Sequence, residues 1–159
     1  MKKEVLILLL AFCSMCLVCK GQNTKSIEET KKKIENQYVT FCSQLNKQLP
    51  MRVDEVTTLK SVAFVNWTMM CYYSVEINMA DYQDIELKEF MKGIRDKQKK
   101  QIPTMISNGS YQFTQSELYE YLKGTGLKFR FIYHDLNDGQ IGVNQFDYKD
   151  FARSDKRYK

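Results

Sequence analysis

The chain has 159 residues, a formal net charge of +5, seven glycines, two prolines and one histidine. That length suits one ordinary globular domain, and a lone histidine removes most metal sites, which draw on several His or Cys ligands. A charge this mild favours solubility and gives no ground for nucleic-acid binding.

Lys2 and Lys3 form a positive start, residues 5–18 are apolar except for Ser14, and Cys19-Lys20-Gly21 follows with small residues where a signal peptidase cuts. This is the pattern of a secretory signal cleaved after Gly21. The apolar run is shorter than the roughly 20 residues of a comfortable membrane span. A retained anchor is the alternative, and a lipid anchor is another. The cysteines that could carry a lipid follow Phe12, Met15 and Val18 rather than small residues. The CxxCxxC spacing of Cys13, Cys16 and Cys19 falls inside this segment and is not read as a metal or redox motif. Cleavage removes Lys2, Lys3, Lys20 and Glu4, leaving 138 residues and a charge of +3. A chain of that size buries somewhat over ~60% of its unfolded surface and needs no staple. The expected address is the periplasm or the exterior, with membrane contact only through a lipid or an uncleaved anchor. Cys42 and Cys71 remain. In an oxidising compartment they are a candidate disulfide, or else two buried thiols.

The first expected element is a helix over residues 26–48. Ile27, Ile34, Tyr38, Phe41 and Leu45 share one face, Ser26 and Glu29 fit a capping box, and Pro50 stops it. Two strands follow over residues 59–67 and 68–78, rich in Val, Phe, Tyr and Thr, with a turn near Asn66. A second helix is expected over residues 84–102, with Leu87, Phe90, Met91, Ile94 and Ile102 as its stripe, a basic end and a break or kink at Pro103. Residues 107–112 read as a loop. Thr114 and Glu117 make a capping box for a short helix to Lys123, closed by Gly124 or Gly126. Alternation over residues 127–134, an Asp138-Gly139 turn and a return over residues 141–148 give a second hairpin. The expected fold is α+β: a four-stranded antiparallel sheet from two hairpins in α-ββ-α-α-ββ order, helices on one face and the other face wet. It occupies residues 22–152, with a charged tail over residues 153–159.

Leu45-Asn46-x-x-Leu49-Pro50-x-x-Val53-Asp54-x-x-Thr57-x-Leu59-x-Ser61-Val62 resembles a motif of a group of small uncharacterised bacterial proteins, exported or membrane-anchored. The resemblance continues more loosely through Tyr72-Tyr73, a helix, and the strand and turn up to residue 146. It implies the architecture and export, and no activity. The residues themselves read as structural: Asp54 and Thr57 can hold backbone donors at a strand entry. The functional reading is that Arg52, Asp54, Glu55 and Thr57 line a binding edge.

His134, next to Asp135, is the one histidine a triad could use, but no nucleophile signature accompanies it. The run from Asp135 to Ile141 resembles the start of a calcium loop, yet it is one residue short and lacks the later Glu, so a hairpin turn explains it better. The carboxylate pairs Asp81/Asp84 and Asp147/Asp150 read as solvated caps. Tyr111, Phe113, Tyr119 and Tyr121 cluster around the loop and short helix. Leu118 and Leu122 take its core stripe, so at least one of Tyr119 and Tyr121 is expected to face water. These four aromatics are the candidate partner-binding residues; core packing is the competing reading. The sequence therefore points to an exported, non-catalytic domain, without cofactor or metal, that binds a protein or envelope component. An immunity or inhibitor protein against a toxin is the sharper alternative, and a small hydrolase using His134 the one from another class.

Overall fold

The computed structural model describes residues 24–107 and 111–152. The expected signal peptide, the charged tail and residues 108–110 of the expected loop lie outside them. In chain order the elements are α1 (Thr24–Asn46), β1 (Met51–Arg52), β2 (Thr57–Val65), β3 (Thr68–Val75), a 3-10 turn (Met79–Asp81), α2 (Asp84–Ser107), α3 (Gln115–Thr125), β4 (Lys128–His134), β5 (Gln140–Phe146) and a second 3-10 turn (Tyr148–Phe151).

The expected order of elements stands, but the sheet differs. It has five strands in the order β1-β2-β3-β4-β5. Its central pair, β3 and β4, is parallel, with Met69 beside Phe129, Cys71 beside Phe131 and Tyr73 beside Tyr133. Each hairpin is antiparallel, as expected. Side-chain alternation says which residues share a face, and nothing about how two hairpins adjoin. Parallel neighbours need a long crossover, and the stretch holding α2 and α3 supplies one.

Local chemistry explains the turns. Asn66 and Trp67 both take positive φ, 49° and 57°, which matches the hairpin twist. Thr114 and Glu117 form the expected capping box, and Gly126 closes α3 in the left-handed conformation at φ 75°. Helix α2 does not stop at Pro103 but runs on to Ser107. Proline removes one N–H that would have bonded Lys99, on an exposed turn, while Ile102 and Ile106 hold both sides in the core.

One face of the sheet carries the core. Phe129, Phe146, Met69, Ile102, Leu122, Leu127 and Val75 are almost wholly buried, each worth about 1.5–3 kcal/mol against exposure. Tyr38 of α1 stacks on Phe64 at 4.9 Å. From α2, Gln98 donates to the Tyr133 hydroxyl and accepts from the Asn144 amide at 2.9 Å. From α3, Leu118 and Leu122 complete the cover. All three helices therefore lie on this face. The opposite face has no helix among the described residues, but it is not uniformly wet: Ile132, flanked in register by Tyr72 and Val143, is only 8% exposed.

The outer edge of β2 is closed. Strand β1 pairs with it at Thr58 and Leu59. Beyond the bulge next to Lys60, the Asn46 amide donates to the Val62 carbonyl at 2.8 Å and accepts from its N–H at 2.9 Å. One side chain thus stands in for a neighbouring strand. Asp54 accepts from the Val56 and Thr57 N–H groups, and Arg52 forms a two-pronged pair with Glu76. Asn46, Arg52 and Asp54 are in this way all engaged in holding the edge.

Candidate functional site

The other edge of the sheet, β5, borders an open groove of about 400 Å³ between that strand and the first turns of α2. Asp84 opens α2 at the rim, where a carboxylate suits the helix N-terminus. Leu87, Lys88 and Met91 follow at helical spacing on the groove side, and Ile141 to Asn144 form the other wall. Gly142 lets the Met91 side chain press onto the strand: a Cβ there would lie 2.9 Å from the Met91 methyl and would push that flexible side chain aside. The strand is clamped further along, where Arg95 donates to the Gln145 carbonyl at 2.9 Å, pairs with Asp150 at 2.6 Å and lies over the Phe146 ring. Asn144 spends its amide on Gln98 and on the Met91 carbonyl. The groove thus offers apolar contact, one carboxylate and one ammonium at its rim, and a strand edge. This suits holding a peptide segment better than bond-breaking chemistry.

The residues singled out in the sequence are dispersed. His134 ends β4 on the helix-free face, in register with Ser74 and Gln140. Asp135 does not orient it. Its carboxylate accepts from the Met79, Asn137 and Gly139 N–H groups, and these bonds, Met79 first, hold its pKa below the usual carboxylate value. The same bonds make the resemblance to a calcium loop a backbone turn. Asp147 and Asp150 cap the second 3-10 turn, while Asp81 is exposed and Asp84 stands at the groove.

The four candidate aromatics fall into two groups. Tyr111 is 49% exposed, meets Phe113 edge-on at 5.0 Å and donates to Glu117 at 2.6 Å. Phe113 contacts Tyr121, and both are half-buried against the core. Tyr119 points elsewhere, to Tyr148 and under Lys123. Cys42 and Cys71 are buried free thiols, with Cys42 donating to the Met69 sulfur at 3.5 Å.

The sequence reading missed the groove. Its one signal was Gly142 in mid-strand, since an isolated glycine there marks a close approach.

Fold and groove define a class: an α+β domain with a mixed five-stranded sheet covered by helices on one face. No protein-family model and no curated protein sequence matches the chain. Among solved structures it is similar to a protein of Pseudomonas aeruginosa described as secreted, at 10% identity and TM-score 0.51, over 83% of this chain and 100% of that one. It is also similar to the pilotin of the Vibrio vulnificus type 2 secretion system, at 10% identity and TM-score 0.53, over 79% of this chain and 98% of that one. These likenesses show a shared fold. Among the described residues no helix is long and apolar enough to cross a membrane.

Proposed function

We propose that the chain is an exported, non-catalytic domain that binds a component of the cell envelope, most directly a protein segment held in the groove between α2 and β5. The observation that carries this reading is the fold shared, over about four fifths of this chain and nearly the whole of the other, with a secretion-system pilotin. A second likeness, to a protein described as secreted, supports export, as does the signal-like pattern of residues 1–21. The groove supports the mode of binding, because a strand edge beside apolar side chains is a ready receptor for an extended peptide. The alternative contact surface is Tyr111 with Phe113, on the strength of the exposed Tyr111 ring. An immunity protein would be a special case of the same reading, with a toxin as the bound protein.

The test is capture from an envelope fraction with three baits. Wild type and Tyr111→Ala should retain one and the same protein, and the double variant Lys88→Glu, Val143→Arg should lose it while unfolding at the same denaturant concentration. Loss with Tyr111→Ala alone moves the contact to the aromatics. No specific capture by any bait sinks the reading.

A further inference from the structure

One end of the domain combines positive charge with a turn made of an exposed Asn66 and a half-buried Trp67. Helix α1 runs antiparallel to β2, starting at the hairpin tip and descending from it: the Lys31 ammonium lies 6.0 Å from the Trp67 ring, Tyr38 stacks on Phe64, and Asn46 bonds Val62. Trp67 meets Phe64 edge-on at 6.1 Å, and its carbonyl accepts from the Lys128 N–H at 2.8 Å, which fixes the start of β4 at the same tip. Val65 beside it is 47% exposed. Arg130 follows Lys128 on the helix-free face, and both are exposed.

The charges divide along the strands. Lys31, Lys32 and Lys33 of α1 with Lys128 and Arg130 outnumber the acids of the same region, Glu28, Glu29 and Glu35. At this end on the β5 side, Asp150 is paired with Arg95 and Asp147 caps a turn. The opposite end, where β2 enters and β3 and β4 leave, gathers Asp54, Glu55, Asp135 and Asp138, with Lys97 near Asp54 and Glu76 neutralised by Arg52. The first residue of α1, Thr24, stands about 10 Å beyond Lys31 at helical rise, past the hairpin tip. Residues 1–23, apolar in sequence from Val5 to Val18, therefore join the domain at its basic end.

We propose that this end, built from the Asn66–Trp67 turn, the first half of α1 and the start of β4, docks on an anionic lipid bilayer. Basic residues near such a surface each add attraction of about 1 kcal/mol, a factor of about five in binding, and a Trp ring at a turn tip settles at the headgroup level. The charge division turns the acidic end away from the bilayer. The contact is separate from the α2–β5 groove, so either proposal can fail alone.

Trp67 is the one tryptophan of the chain, so its emission reports on this end alone. The buried core residues among the described ones all follow the expected cleavage site, and the probe protein is the chain from Gln22 onwards. It should cosediment with vesicles of phosphatidylcholine containing about one third phosphatidylglycerol, and Trp67 emission should shift to the blue. Raising the salt from about 0.1 M to about 0.5 M should release it, as screening shortens the reach of the charges. Vesicles of phosphatidylcholine alone should bind at least tenfold more weakly, and so should Lys128→Glu, Arg130→Glu on anionic vesicles. Should that variant not fold by circular dichroism, Lys31→Glu, Lys32→Glu makes the same test. The proposal is overturned by absence of binding, by binding without an emission shift, or by equal binding to both vesicles. It is also overturned by tighter binding to poly-glutamate than to vesicles, which would assign this end to an acidic protein.

Discussion

The two edges of the sheet are treated differently. At β2 the edge is closed by local means: a two-residue strand, then the Asn46 amide bonding both backbone groups of Val62. At β5 the edge is left beside a groove and held from below, by Gln98 reaching β4 and β5 at once and by Arg95 gripping Gln145. An unpaired edge invites another strand. The chain prevents that on one side and leaves room for it on the other, so on the proposed function β5 is the receiving side.

The sharpest way to break the β5 side is Gln98→Ala. Gln98 is 4% exposed, and its loss takes the donor from the Tyr133 hydroxyl and leaves the Asn144 amide only the Met91 carbonyl. Stability should fall by about 3 kcal/mol in urea unfolding. Hydrogen exchange should show the loss first in residues 140–146, with Val62 still protected; uniform loss over both edges would erase the distinction. On the other side, Asn46→Ala should cost about 1–2 kcal/mol, since it leaves two partly buried backbone groups without partners. It should also make the protein self-associate with concentration in sedimentation velocity, through the newly open β2 edge. A variant that stays monomeric shows that β1 alone guards that edge. The smallest effect is a pH effect at the turn leading into β5. Because the Asp135 pKa is depressed in the fold, its contribution is complete above the ordinary carboxylate value of 3.8 and is lost as pH falls below it. Asp135→Asn should flatten that acid limb by lowering stability at pH 7 towards the acid value while leaving acid stability little changed, and an unchanged limb would place the acid sensitivity elsewhere.

Much of the fold is written in local patterns. The capping box at Thr114, the left-handed Gly126 and the alternation of β4 all specify their own neighbourhood, and the structure keeps them. The parallel join of β3 to β4 is a long-range choice that no periodicity records. Pro103 misled because a local cost was outweighed by Ile102 and Ile106 in the core. The groove was hidden for a related reason. Leu87 and Met91 look like any apolar stripe, and only the packing of α2 at the sheet edge leaves them lining an opening. The aromatics around Tyr111 were visible as a cluster, but their division into two groups depends on the path of the chain through Phe113.

The two thiols set how the domain meets an oxidising environment. Burial pushes Cys42 up to about 11, and burial with the neighbouring Cys42 pushes Cys71 up to about 12. Only the thiolate attacks a disulfide or an oxidant, and at neutral pH almost none of either residue is in that form. Once folded, both thiols are shielded from exchange by burial and by their low thiolate fraction, and they become reactive only when the helices over them open.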